Sequence, residues 1–274
     1  MPNKQKEFID YVDTEPTWWE SKLHDYESSP ATAFLRECVH IADAIGLCRR
    51  RFARKRNGYL NRNGQDSMYR IGAAAFSSMM SHFEVYQRAL FAGMMEASRF
   101  QPEFRLTECC KYLERDSNMS LDIQRLLAYR GRMAPIGHLI ADSLSGWHSR
   151  ARVNAHFKSL VPDYVFFSGK EENQLSILWQ LRHSIVHTGG WLTHADAQKV
   201  HFLLKLADRP ILLSEHFVEA VARRLHGIVD RSTKGLSSKF VPKLSLALSP
   251  SERDPITALF RVSSPRPAWL STAA

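Results

Sequence analysis

Residues 171–190 read EENQLSILWQLRHSIVHTGG and carry the clearest helix signal in the chain. Two glutamates begin the run, where carboxylates complement the partial positive charge of a helix N-terminus. Apolar side chains then recur at the spacing of one helix face, at Leu175, Leu178, Leu181 and Ile185. Two glycines end the run, because glycine readily adopts the left-handed conformation that terminates helices. The stretch therefore predicts an amphipathic helix over residues 171–188.

The segments on both sides of this run also predict helices. Residues 67–99 carry a wide apolar stripe, so this longest helix is expected to be central. Further helices are predicted over 31–56, 106–115, 120–129, 135–144, 147–160, 193–206 and 214–229. Residues 211–213 are expected to form a brief strand. The fold class that follows is all-α.

Breaks in composition divide the chain into three predicted parts. Residues 1–62 are predicted to be an N-terminal helical extension, because the turn-rich stretch 57–64 interrupts the chain. Residues 63–231 are predicted to be the main helical domain. From 232 to 274, Ser, Lys and Pro become frequent and helical periodicity fades, which predicts a poorly structured C-terminal tail.

The bulk properties are those of an ordinary soluble protein. The chain has 274 residues, of which 44% are hydrophobic and 24% charged. No apolar run is long enough to span a bilayer, and the first 15 residues lack the apolar segment of a secretory signal. We therefore expect a cytoplasmic protein without a membrane partner. The four cysteines lack the spacing of a zinc site and are expected to be reduced thiols.

The formal charge of +9 favours anionic partners, nucleic acid above all. Its densest part is a basic cluster that consists of Arg49, Arg50, Arg51, Arg54, Lys55 and Arg56. Such a cluster is usually a solvated helix end. Its density and its aromatic neighbours Phe52 and Tyr59 make it a candidate for contacts with an RNA backbone.

Arg182 and His187 could serve chemistry at a phosphate ester, since they supply a fixed positive charge and a group that exchanges protons near neutral pH. Five positions place them about 140° apart around a regular helix, so they do not share a face. His183 does share a face with His187. A second copy of the helix, packed across a two-fold axis, would bring two arginines and two histidines into one cleft.

Residues 182–190 resemble the R-x4-6-H motif of the HEPN superfamily, with His183 as the polar residue that follows the arginine. The Gly-Gly pair, a helix, a short apolar segment and a final helix then follow, as in the RiboL-PSP-type and related HEPN families. Upstream, residues 76–95, an apolar helix that contains Glu84, resemble the early helix of such domains. The resemblance covers residues 67–231.

The resemblance implies a HEPN-like helical bundle that dimerises through the motif helices and cleaves RNA without a metal or other cofactor. His187 would act as general acid or base, Arg182 would bind the scissile phosphate, and His183 would orient His187 or contact the phosphate. Glu84 would be an outer partner of the site. The expected product is a 2′,3′-cyclic phosphate. The expected setting is a toxin–antitoxin or antiviral system, with a cognate antitoxin as partner.

Other interpretations remain open. The motif residues could merely cap their helix, and Glu84 could be a structural ion-pair partner. The chain could be a catalytically inactive HEPN-type module that binds RNA or a protein, or a basic, nucleic-acid-binding structural protein without an active site. His183 and His187 also have the spacing of zinc ligands on a helix, and His194 and Asp196 lie nearby in the sequence. However, Ser184 stands where the HExxH motif has glutamate.

Overall fold

The structure is a computed structural model that describes residues 23–116, 119 and 136–271. Its α-helices are α1 (Leu23–Ser28), α2 (Pro30–Arg51), α3 (Arg62–Ala97), α4 (Leu106–Asp116), α5 (Ile136–Ser143), α6 (Arg150–Leu160), α7 (Gly169–His187), α8 (His194–Gln198), α9 (Glu215–Phe240) and α10 (Pro250–Leu259). Short 3-10 helices cover Ser98–Phe100, His201–Leu206, Val241–Lys243 and Pro267–Trp269. The prediction of an all-α fold is confirmed.

The described residues contain one small sheet. Its strands are β1 (Trp191–Leu192) and β2 (Arg209–Pro210), which pair antiparallel with Trp191 opposite Pro210. The pairing lies two residues earlier than the strand predicted at 211–213. Among the helices that the structure describes, none combines the length and the apolar character that crossing a bilayer requires.

Helix α3 is the centre of the fold, as its apolar stripe predicts. It packs against α2, α5, α7, α9 and α10. The stripe is fully buried at Phe76, Met79, Met80 and Phe83. The helix begins at Arg62, earlier than predicted, because the Asn61 side chain caps it by accepting a hydrogen bond of 2.7 Å from the backbone N–H of Gly64.

The helix predicted at 31–56 ends at Arg51, and residues 53–61 form a tight loop closed by a bridge between Arg54 and Leu60. Helix α2 lies along α3 and α9, and its Phe34 and Leu35 are fully buried. Residues 30–51, within the predicted N-terminal extension, thus contribute to the same core as the helices that follow them. The predicted helix at 120–129 and the first 22 residues lie outside the described residues.

The prediction of a poorly structured tail is wrong for residues 232–271. Helix α9 continues to Phe240 because Leu236 and Phe240 extend its apolar face and are fully buried. Beyond it, α10 begins at a capping box formed by Ser249 and Glu252. The segment then packs on the core through Ile256, Leu259, Phe260 and Trp269. Among the polar residues around Leu236 and Phe240, Lys234, Ser238 and Lys239 are exposed, whereas Ser232 and Thr233 are fully buried.

Candidate functional site

The first turn of α7 is fixed by Glu171. The Glu171 carboxylate accepts a hydrogen bond of 2.7 Å from the backbone N–H of Ser168 and completes a capping box. Arg231 of α9 donates to the same carboxylate, with Nε at 2.6 Å from Oε1, and to the carbonyl of Phe166. The Glu171 side chain is only 2% exposed, so this ion pair is buried and holds α7 against α9. Because α7 carries residues 182–187, it is called the motif helix below.

The end of α7 is set by its glycine pair. Gly189 and Gly190 have φ angles of 65° and 84°, in the left-handed region that favours glycine. The N–H of Gly190 donates to the carbonyl of Ser184 at 3.1 Å, and the hydroxyl of Thr188 donates to the same carbonyl at 2.7 Å. The helix therefore ends where the sequence predicts, and it remains regular through Arg182 and His187.

His183 and His187 form a pair on one face of α7, with ring centroids 4.6 Å apart. Nε2 of His183 lies 3.7 Å from Oδ1 of Asp196, which belongs to α8. The His183 side chain is 46% exposed, and His187 is exposed as well. The pair is therefore open to solvent on one side and backed by a carboxylate on the other.

Asp196 holds a small polar network behind the histidines. Its carboxylate accepts from Nζ of Lys199 at 2.8 Å and from the hydroxyl of Ser184 at 3.3 Å. Gln180 in turn lies with Nε2 3.4 Å from that hydroxyl. Sequence reasoning placed Asp196 near the motif only as a possible metal ligand. Its position three residues after the helix cap Thr193 is a signal for a capping role, but not for burial against α7.

The protonation of the site follows from these contacts. Partial burial lowers the pKa of His183, and Lys199 and His187 lower it further, while Asp196 opposes them. The ammonium group of Lys199 lowers the pKa of Asp196. At neutral pH His183 is therefore an uncharged imidazole beside a charged carboxylate.

Arg182 is separated from the histidine pair. On the regular helix it points about 140° away from His187. It follows the buried Leu175 and Leu178 by seven and four positions, on the same side of α7. Its Nε atom is buried and has no hydrogen-bond acceptor among the residues that the structure describes. One chain therefore presents the histidines and the arginine in different directions, as the spacing predicts.

Glu84 forms an ion pair of 2.7 Å with Arg88, four residues later on α3. Within the described part of the chain, Glu84 forms no hydrogen bond or ion pair with Arg182, His183 or His187. The geometry is that of the structural ion pair that the sequence left open as an alternative. Arg231 and Arg223 of α9 pair with Glu171 and Glu219.

The candidate zinc ligands do not converge. Across residues 23–116 and 136–271, no group of three or more His, Cys, Asp or Glu side chains has the arrangement of a metal site. His194 instead lies with Nε2 2.9 Å from Nε2 of Gln198, on the exposed side of α8. Asp196 is engaged by Lys199.

Large apolar side chains are exposed around the end of α7. Val186 lies between Arg182 and the histidine pair on the helix and is 49% exposed. Trp191 on β1 and Phe202 in the following 3-10 helix are 48% and 59% exposed. Leu212, after β2, is 57% exposed. A contiguous exposed apolar patch is typical of an interaction surface, and Val186 is the member of this set that lies on α7 itself.

In comparisons with known proteins, no family model matches the chain, and no curated protein or solved structure matches it significantly.

Proposed function

We propose that the chain is a homodimeric, metal-independent endoribonuclease of HEPN type. The observation that carries the proposal is the end of α7. There an exposed His187 stands beside His183, which is backed by the buried carboxylate of Asp196, and Arg182 lies on the same helix. The R-x4-H spacing and the Gly-Gly stop support the same proposal.

The proposed reaction is transesterification of RNA. His187 removes the proton from a ribose 2′-hydroxyl, whose oxygen attacks the adjacent phosphorus. The bond from phosphorus to the 5′ oxygen breaks, and that oxygen receives a proton from the protonated His187. The products are a 2′,3′-cyclic phosphate and a 5′-hydroxyl. Arg182 offsets the charge that develops on the phosphate, and the uncharged His183 orients His187 or the phosphate.

The proposal requires a dimer because Arg182 and His187 diverge on one helix. A two-fold arrangement of two α7 helices would place Arg182 of one protomer beside His187 of the other. The exposed Val186 supports this arrangement, since it lies on α7 between the two motif positions and would be covered by the partner helix.

The proposed setting is a toxin–antitoxin or antiviral defence system in the cytoplasm, with RNA as substrate and a cognate antitoxin as partner. The resemblance of residues 182–190 to the HEPN motif supports this setting. The formal charge of +9 supports an anionic substrate.

A second candidate is an inactive HEPN-type module that binds RNA or a protein. The observation that favours it is the burial of Arg182 Nε without an acceptor on the side of α7 that carries Leu178. An arginine held there would contribute to packing and would be withdrawn from the substrate.

RNA cleavage in the presence of EDTA separates the two candidates. The wild-type protein is expected to cleave an end-labelled single-stranded RNA and to leave 2′,3′-cyclic ends. His187→Ala is expected to lower the rate by at least about 100-fold, because general acid–base catalysis contributes that much. His24→Ala, at an exposed histidine of α1, is the matched control. Equal cleavage by all three proteins would refute the proposal, and binding without cleavage would favour the inactive module.

A further inference from the structure

A crevice lies between the end of α2 and the start of α9. One chamber, of about 460 Å³, is lined by the loop that follows α2, including Arg54 and Tyr59, and by Ser214 and His216. A second chamber, of about 290 Å³, shares Arg49, Arg54, Glu215 and His216 with the first and adds Arg50. We call the two chambers the arginine crevice. The larger one has the size of a small-molecule site.

The crevice divides the basic cluster into two sets. Arg49, Arg50 and Arg54 line it. Arg51, Lys55 and Arg56 belong to the same stretch of sequence and do not line either chamber. The structure therefore selects three of the six cations, which the sequence alone could not do.

Two of the three arginines are held in place by the fold. Nε of Arg49 lies 2.7 Å from Oε1 of Glu215, across the crevice. A terminal nitrogen of Arg54 donates to the carbonyl of Gly58 at 2.7 Å. Each guanidinium has five N–H donors, so both retain donors for a ligand. Arg50 has no ion-pair partner among the described residues, and its charge is fully available.

The acidic residues of the crevice do not cancel this charge. Glu215 is matched by Arg49. Glu219 forms an ion pair of 2.6 Å with Arg223, on the same helix. Arg50 and Arg54 therefore leave the crevice positive, and guanidinium groups bind phosphate with two parallel hydrogen bonds.

The rim adds an aromatic surface. Tyr59 lines the larger chamber and is 73% exposed, although aromatic rings are normally buried at least in part. Its backbone is fixed by the N–H of Lys55, which donates to the Tyr59 carbonyl at 2.7 Å. Proteins bind single-stranded nucleic acids through exposed aromatic rings that lie beside arginines. A base stacks on the ring, and its phosphate contacts the cations.

We propose that the arginine crevice binds a nucleotide, with its phosphate at Arg49, Arg50 and Arg54 and its base against Tyr59. The nucleotide is either free or one unit of a single-stranded RNA. The crevice connects to the end of the motif helix: Ile211 N–H donates to the Gly190 carbonyl at 2.7 Å, and Ser214 is three residues further along the chain. Three residues span at most about 11 Å. A role in RNA cleavage rests on the proposed function, whereas nucleotide binding does not.

The test measures binding by fluorescence anisotropy of a labelled ten-nucleotide oligouridylate, in the His187→Ala protein so that cleavage cannot interfere. The triple variant Arg49→Ala, Arg50→Ala, Arg54→Ala is compared with the charge-matched triple variant Arg51→Ala, Lys55→Ala, Arg56→Ala. We expect the first to weaken binding about 100-fold and the second only a few-fold. Equal weakening would overturn the proposal, because it would indicate diffuse attraction.

The single variant Arg50→Ala tests the site without disturbing the fold, because Arg50 has no ion-pair partner among the described residues. It is expected to weaken binding about tenfold and to reduce the salt dependence of log K by about 0.7. Tyr59→Ala is expected to weaken RNA binding while leaving the affinity for inorganic phosphate unchanged. No effect of Arg50→Ala and Tyr59→Ala would refute the site.

Competition identifies the source of the nucleotide. Displacement of the oligouridylate by micromolar UMP assigns a free nucleotide, and displacement only by unlabelled RNA assigns a strand. If wild-type protein cleaves no RNA but the two triple variants still differ in binding, the proposed function fails and the nucleotide site stands.

Discussion

Nε2 of His183 lies 3.7 Å from Oδ1 of Asp196, a carboxylate with an 8% exposed side chain that Lys199 and Ser184 also contact. The charge of this carboxylate is the only influence among those on His183 that raises its pKa. His183 and Lys199 thus both lie beside the buried carboxylate of Asp196. Asp196 raises the pKa of His183, and Lys199 lowers it.

Asp196→Asn is expected to lower the pKa of His183 further, because the neutral amide no longer favours the protonated imidazole. It is also expected to destabilise the fold by about 1–3 kcal/mol, since Lys199 loses its buried partner. NMR titration of the histidine Cε1 protons measures the first effect, and urea denaturation measures the second. Lys199→Met is the counterpart and should raise the pKa of His183, because Lys199 lowers it. Shifts of equal sign in both variants would contradict this account.

His156 should make stability depend on pH. It is fully buried, and burial lowers its pKa from 6.5 to about 4. Above pH 6.5 the residue is neutral in both states. Between pH 6.5 and 4 the unfolded chain gains a proton that the folded protein excludes, so stability falls by roughly 3 kcal/mol and then levels off. Denaturant unfolding across this range measures the slope.

The His156→Gln variant is expected to flatten that slope by one proton, about 1.4 kcal/mol per pH unit. Replacement of the exposed His24 by glutamine is the control. An unchanged slope in His156→Gln would show that the pH dependence has another origin.

Two glycines inside long helices should respond oppositely to alanine. A Cβ at Gly72 of α3 would lie 2.3 Å from the backbone carbonyl oxygen of Leu213, whereas a Cβ at Gly46 of α2 meets only an arginine side chain, at 3.7 Å. Gly72→Ala is expected to destabilise by about 1–3 kcal/mol. Gly46→Ala is expected to stabilise by about 0.5–1 kcal/mol. Thermal unfolding of the two variants tests the sign of each effect, and stabilisation by Gly72→Ala would disprove the close approach of Leu213.

The proposed dimer should depend on Val186. Val186→Glu places a charge in the proposed interface and is expected to weaken dimerisation by at least about tenfold, together with cleavage. Leu246→Glu is the matched control, because Leu246 is 94% exposed and lies far along the chain, beyond α9. Sedimentation velocity over a concentration series gives the dissociation constants. A wild-type protein that stays monomeric throughout would remove the basis for the composite site.

The local features of the motif helix could be predicted from sequence because they are encoded within it. The acidic first turn and the Gly189–Gly190 stop gave both ends of α7 to within two residues. The separation of Arg182 from His187 follows from helix geometry alone. The roles of Asp196 and Arg231 could not be predicted, since each depends on how a distant element packs against α7.

The structure of residues 232–271, by contrast, could not be predicted from the sequence. In residues 232–240, Leu236 and Phe240 are the buried apolar residues among Ser, Thr, Lys and Gly, so the apolar signal is sparse. Leu259 is buried because a helix glycine makes room for it: its Cδ1 lies 2.5 Å from where Gly93 would carry a Cβ. Such a fit, between residues more than 160 positions apart, leaves no periodic pattern in the sequence from which it could be predicted.

Helix α2 meets the last described segment of the chain, and this contact has a consequence for synthesis. The hydroxyl of Thr32 donates to the carbonyl of Arg261 across 229 residues, and Asp43 pairs with Arg266. At roughly 5–20 residues per second, the ribosome delivers Arg261 on the order of 10–50 s after Thr32. During that interval the side of α2 that residues 261–266 cover stays open to solvent. The nascent chain therefore forms these contacts only after residues 261–266 have been synthesised.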